Sequence, residues 1–262
     1  MFRRPSTMIQ RALSALLLSA ALAAPLTAGE LIIPLSAGTA ADGTSYTTRI
    51  WITNTGSVPR RWTSTFVAPG ADGTKAPAGK SLAIGPGATV VAGNLAPAGQ
   101  SGILLVSGAP QLVTTARLES TGKDGSLRAA TAGPLVSGPV ITAGHGTLQI
   151  HGLSHRQGGL STDLYLVNTS RQPAQCTIAG FRDDGSRTGA DVRSAVPPLS
   201  MRVIENALPA LGAGGVDEAR ASISCDQNFY AFARVAKPGS GELNVMTPPR
   251  ALGRDVSAAG SR

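Results

Sequence analysis

From residue 30 onward, apolar positions fall in short runs rich in Val, Ile, Leu and Thr, set between turns rich in Gly and Pro. Several runs alternate apolar with polar residues, the period of a strand with one covered face. In 46–54, for example, Tyr46, Ile50 and Ile52 share one side, while Trp51 points the other way, towards an edge or a neighbouring unit. In 60–69 the run Trp62, Ser64, Phe66 and Ala68 shares a side. No window past the N-terminal 1–23 sustains a 3.6-residue period. Strands are predicted over 30–35, 46–54, 60–69, 81–84, 89–93, 101–107 and 112–119. A second series follows over 148–153, 162–168, 175–182, 190–196, 201–205, 219–225 and 229–235, with 242–246 as an added edge. The chain is therefore expected to be all-β, built of antiparallel sandwiches.

The two series are expected to be two copies of one unit. YTTRIWITNTGS (46–57) is answered by LSTDLYLVNTSR (160–171), with Thr48 to Thr162 and Asn54 to Asn168 both offset by 114. Asp72-Gly73 is answered by Asp184-Gly185, Pro86 by Pro198, and Arg117 by Arg234. Seven strands in about 90 residues is the count of an immunoglobulin-like sandwich. The predicted units span 30–133 and 145–250. Between them, 133–146 (GPLVSGPVITAGHG) is a seam whose apolar pairs Leu135-Val136 and Val140-Ile141 strap it onto a sheet. Residues 251–262 read as a flexible tail.

With its Asn-x-small turn, Asp-Gly loop and Arg-bearing last hairpin, the chain resembles secreted bacterial proteins made of two tandem β-sandwich units. TDLYLVN (162–168) and FYAFA (229–233) carry the resemblance most directly. It implies a fold and an exported location, and transfers no site residue. In one respect the first unit departs from the second: Arg49 stands where the second has Asp163.

Export is also expected from the N-terminus. Arg3, Arg4 and Arg11 precede an apolar run of about a dozen residues, and Ala21-Leu22-Ala23 supplies a small-x-small cleavage signal, so 1–23 reads as a signal peptide. The run falls short of the roughly 18 residues of a membrane-spanning helix, and stable insertion after cleavage is not expected. A periplasmic or extracellular destination follows. The whole chain carries a formal charge of +8; removing the leader takes three arginines and no acid, leaving 20 cations against 15 acids. The longest basic run is Arg60-Arg61 and aromatics are sparse, which speaks against a nucleic-acid partner. In an oxidising compartment the two cysteines, Cys176 and Cys225, are expected to pair. Both share parity with the apolar residues of their strands. Closing that loop of roughly 50 residues stabilises the fold by about 4 kcal/mol.

Candidate chemistry is sparse. His145, His151 and His155 share parity within eleven residues and, if extended, could hold zinc with a carboxylate such as Asp163. Gly144, Gly146 and Gly152 interrupt that segment, and solvated or turn histidines are the expected outcome, with no metal and no cofactor. Arg117 and Arg234 are candidates for a partner contact; the plainer reading is arginines on a solvated sheet face or blunting an edge. Ser120-Thr121-Gly122-Lys123 fits S-x-x-K in a turn without the companion K-T-G, and Asp183-Asp184-Gly185-Ser186 lacks the ligand count of a calcium loop. Asn168-Thr169-Ser170 fits a glycosylation acceptor, but its Asn has a turn to make. The expected function is thus an exported, non-catalytic structural module or binder of protein or glycan. The alternative is a periplasmic assembly chaperone, since Asn54–Pro59 behind a leader loosely resembles pilus chaperones, which use inter-domain basic residues and an exposed strand.

Overall fold

The structure, a computed structural model, describes residues 30–248 apart from 40–42, 78, 93–94, 98, 157–158, 238–239 and 241. The expected leader (1–23) and tail (251–262) lie outside the described residues. In chain order the strands begin with β1 (Glu30–Leu35), β2 (Gly38–Thr39), β3 (Ser45–Asn54), β4 (Arg60–Val67) and β5 (Lys80–Ile84). Next come β6 (Thr89–Ala92), β7 (Gly102–Gly108), β8 (Leu112–Thr121) and β9 (Leu127–Ala132). The later series is β10 (Thr147–His155), β11 (Ser161–Asn168), β12 (Ala174–Arg182), β13 (Val192–Val196), β14 (Ser200–Ile204), β15 (Val216–Cys225), β16 (Phe229–Lys237) and β17 (Glu242–Met246). A four-residue helix, α1 (Ala207–Ala210), lies between β14 and β15. The predicted strands all form, most within two residues of their expected bounds. β2 and β9 were not predicted; β9 (LRAATA) has Ala and Thr on its covered side and so little apolar contrast.

The strands make four antiparallel sheets. Sheet I has the order β2-β3-β8-β9, with β6 also on β3, and sheet II the order β1-β7-β4-β5. Sheet III is β14-β11-β16-β17 and sheet IV is β10-β15-β12-β13. Strand for strand, the wiring of II recurs in IV, and β6-β3-β8-β9 recurs as β14-β11-β16-β17.

Three apolar layers stack the sheets broadly in the order I, II, III, IV, and a smaller cluster joins sheet I directly to sheet III, with Tyr46 and Leu118 against Ala236 and Leu243. Ile50, Ile52 and Ala116 of sheet I meet Ile33, Trp62 and Leu104 of sheet II. Leu164, Leu166 and Ala231 of sheet III meet Ile150, Ile178 and Ile223 of sheet IV, where Leu208 of α1 plugs one end. Between these cores, Ile32, Val67 and Ile103 of sheet II pack on Tyr165, Met201 and Phe232 of sheet III. The central strands of the two inner sheets are therefore covered on both faces. Of their strands, β7 and β11 are correspondingly apolar in unbroken runs, 103–106 (ILLV) and 164–167 (LYLV), whereas the edge strands β5 (KSLAI), β14 (SMRVI) and β17 (ELNVM) keep exposed polar positions.

The strap expected at 133–146 is present. Val136 exchanges two backbone hydrogen bonds with Ile32 on β1, both 2.9 Å, and Thr142 exchanges two with Phe229 on β16, 2.8 and 2.9 Å. It spans the middle layer, with Val136, Val140 and Ile141 packed into it.

The wiring departs from the immunoglobulin plan at two strands. With β1, β3, β4, β5, β6, β7 and β8 taken as the seven strands, that plan pairs the first with the second and the seventh with the sixth. Here β1 pairs with β7 and β8 with β3. Patterning explains the exchange: β1 (ELIIPL) carries adjacent apolar residues that need both faces covered, which sheet II provides. β8 (LVTTARLEST) alternates over its first seven residues and suits outer sheet I.

Candidate functional site

Two residues that recur at the 114-residue offset are inward-facing and polar, and they do the same job twice. The Thr162 hydroxyl donates to the carbonyl of Ser154 (2.7 Å) and accepts from its N–H (3.1 Å). Thr48 makes the same pair of bonds with Ser36, at 3.2 and 3.1 Å. Asn54 Nδ2 donates to the carbonyls of Val58 (2.8 Å) and Ile84 (2.9 Å), and its Oδ1 accepts from the Gly56 N–H (2.9 Å). Asn168 donates to Gln172, Val196 and Pro197 at 2.7 to 3.1 Å and accepts from Ser170. Each asparagine ends a central strand of one sheet and satisfies carbonyls at the end of a strand in the sheet facing it. The repeated positions are thus stitches between sheets, and Asn168, almost fully buried with its amide so occupied, is not open to a glycan.

The two candidate arginines occupy equivalent register positions in different surroundings. On sheet III, Arg234 lies opposite Asp163; on sheet I, Arg117 lies opposite Arg49. Sheet III is covered, so Arg234 is enclosed. It pairs with Asp163, donates from Nη1 to Ser36 Oγ (3.0 Å) and sits 4.6 Å from the centre of the Tyr46 ring. Ser36 also shares a 2.9 Å hydrogen bond with the Tyr165 hydroxyl, and Tyr165 stacks on Phe232 with ring centres 4.5 Å apart. The second oxygen of Asp163 accepts from the Asn206 N–H at 3.0 Å. Burial alone would push the Arg234 guanidinium down; Tyr165 and Asp163 more than offset it, and the group ends above its ordinary value. Burial pushes the Tyr165 hydroxyl up, against a partial offset from Arg234.

Backbone contacts reinforce this seam. The N–H of Gly70 donates to Met201 (2.9 Å) and that of Gly73 to Pro198 (2.8 Å). A Cβ at Gly73 would stand 2.1 Å from the Leu199 carbonyl oxygen, so glycine is needed there for close approach. Leu199 itself has φ 43°, where the corresponding Pro86-Gly87 site of the earlier series uses glycine at φ 67°. Burying the Leu199 side chain in the seam offsets the left-handed backbone.

Arg117 is open instead. Its side chain is 41% exposed and that of Arg49 is 51% exposed, and both engage one carboxylate, Glu119, which is buried. Nε of Arg117 donates to Glu119 Oε1 at 2.8 Å, and Arg49 lies 3.7 Å from Oε2. The two guanidiniums stand 5.0 and 5.8 Å from the centre of the Trp51 ring. Trp51 thus lies on the outward face of sheet I; the expectation that it approaches an edge or a neighbouring unit is corrected. Glu119 went unsingled in the sequence, although Arg117-x-Glu119 on a strand places the two on one face.

The remaining candidates do not converge. His145 sits before β10 at φ 63°, its N–H donating to the Cys225 carbonyl at 2.7 Å. Gly152, at φ 73°, and two register shifts after Ile150 break the shared parity of His151 and His155, leaving the former exposed and the latter half-buried. Among the described residues no group of three or more His, Cys, Asp or Glu side chains is placed to hold a metal. Ser120 of the S-x-x-K match is buried. Asp184 and Asp72 accept from the residues two further on, Ser186 and Thr74, in plain turns. Cys176 and Cys225 form a disulfide between directly paired residues of β12 and β15, facing the core as expected. Among the described residues no helix is long and apolar enough to cross a membrane. No protein-family model matches the sequence, and no curated protein matches it.

Proposed function

We propose that the chain consists of two tandem immunoglobulin-like sandwich units, 30–133 and 145–250, exported behind a cleaved leader and acting without catalysis as a binding module of the envelope or exterior. The recurrence of strand order, of the Thr and Asn stitches and of the Arg register supports the tandem reading, although the first and seventh strands of each unit exchange sheets. The disulfide is compatible with a periplasmic or extracellular location.

One observation carries the functional reading. At matching positions, the second unit places an opposite-charge pair and encloses it, while the first places two arginines and leaves them open beside Trp51. Arg234 is thus a fastening between the units, and the outward face of sheet I is the binding surface. The pilus-chaperone alternative needs its basic residues in an open cleft between domains. Arg234 lies in a filled layer with its charge already paired, which counts against it.

Immobilised mature protein, incubated with envelope and culture-medium fractions, is expected to retain a ligand that an Arg49→Gln/Arg117→Gln variant releases. Retention indifferent to that change, or turnover of a substrate by the purified protein, overturns the reading.

A further inference from the structure

The outward face of sheet I holds a charge arrangement that works against the stability of its own sheet. Arg49 and Arg117 are direct cross-strand partners, and like charges so placed destabilise a sheet. The equivalent partners in sheet III are Asp163 and Arg234, which attract. Glu119 supplies one carboxylate for two guanidiniums, so the cluster keeps a net positive charge with both cations half in solvent. Guanidiniums take carboxylates in a two-pronged geometry that their planar donors favour.

Beside the cations is an apolar strip. Trp51 lies between Val91 on β6 and Thr115 on β8, and one step along the sheet Val113 pairs with Thr53. Val91 and Val113 are 47% and 49% exposed, two of four large hydrophobic side chains so open among the described residues. The face is an open sheet surface with threonine hydroxyls between the apolar and cationic positions.

We propose that this face binds an acidic polysaccharide, its carboxylates held by Arg49 and Arg117 and the C–H face of a sugar ring resting on Trp51 and Val91. The inference rests on the binding-module reading and names the ligand class for the same surface. A neutral glycan would leave the excess positive charge of the cluster unanswered. A folded protein partner needs on the order of 800 Å² per side with a well-packed apolar centre, more than two valines and a partly covered indole provide. A polymer carrying many carboxylates instead gains from repeated weak contacts along its length.

The test is affinity electrophoresis of the disulfide-bonded protein through gels containing polygalacturonate, dextran or polyglutamate. Retardation by polygalacturonate is expected, weakening as salt is raised and falling at least tenfold in both Arg49→Gln/Arg117→Gln and Trp51→Ala. Arg117→Gln alone, shown by its urea unfolding transition to be fully folded under the assay conditions, is expected to show part of that loss, which separates binding from folding. No retardation by polygalacturonate, or equal retardation of the variants, overturns the proposal. Arginine-dependent retardation by polyglutamate but not polygalacturonate, or Trp51-dependent retardation by dextran, overturns the ligand class and leaves the binding surface standing. If no probe is retarded and the variants retain every envelope ligand, both readings fail.

Discussion

The sharpest consequence of the layered arrangement is that two arginines in equivalent register should differ by about twofold or more in what they contribute to stability. Replacing Arg234 with Met removes the ion pair to Asp163, the hydrogen bond to Ser36 and the contact with the Tyr46 ring. Asp163, with a side chain only 13% exposed, then keeps a single backbone donor, Asn206. Hydrogen bonds to charged groups contribute roughly 1.5–3 kcal/mol each, and a partly desolvated cation–ring contact roughly 0.5–2 kcal/mol. Methionine recovers some of this through apolar burial, so the net loss should be about 3–5 kcal/mol, the range for stripping one partner from a buried pair. Replacing Arg117 with Met, at the same place in the other half, relieves repulsion with Arg49 and leaves Glu119 its second cation. Glu119, only 6% exposed, then loses both hydrogen bonds from Arg117 and keeps Arg49 at 3.7 Å, so the loss there should be about 1–2 kcal/mol. Urea unfolding of the oxidised protein, followed by tyrosine and tryptophan fluorescence, reads both. Adding Asp163→Asn to Arg234→Met should restore part of the loss, since the stranded charge is then gone. Equal losses for the two arginines would refute the claim that the middle layer encloses one and not the other.

Three further outcomes follow from the same contacts. Tyr165 is held neutral by burial, so its folded pKa lies above its unfolded value; the associated stability is complete below about pH 10 and is lost as pH rises towards the folded value. Tyr165→Phe should accordingly flatten the alkaline limb of a Tm-against-pH profile, and an unchanged limb would exclude this group. Asn168→Ala, which strips three carbonyls of their donor, should lower stability by about 2–4 kcal/mol, and Asn54→Ala, which strips two, by somewhat less; urea midpoints rank them. Cys176→Ala/Cys225→Ala should cost about 4 kcal/mol and make the melting temperature insensitive to reductant, whereas a wild-type melt unmoved by reductant would show the bridge to be without consequence.

Much of the fold was legible because strand formation is a local matter. Alternation at 46–54, the turn chemistry after Asn54 and Asn168, and the inward parity of Cys176 and Cys225 depend on neighbours in the chain. The structure places each where the pattern does. β9 was missed because alanine and threonine give little contrast, and Trp51 was misplaced because parity gives the side of a strand and not what stands there. The candidate site was half legible. Arg117 and Arg234 could be matched by position, but nothing local separates them, and Ser36 and Tyr46 reach Arg234 from nearly two hundred residues away.

By itself the sequence determined that the chain is all-β, where its strands run, which polar residues recur and which cysteines pair, since each follows from side-chain periodicity and the backbone needs of turns. Tertiary structure decided which sheets lie inside the stack and which outside. Covering one sheet face removes water from around a charge and obliges it to find a partner, as Arg234 does; leaving the matching face open allows Arg49 and Arg117 to stand side by side on one carboxylate, half in solvent.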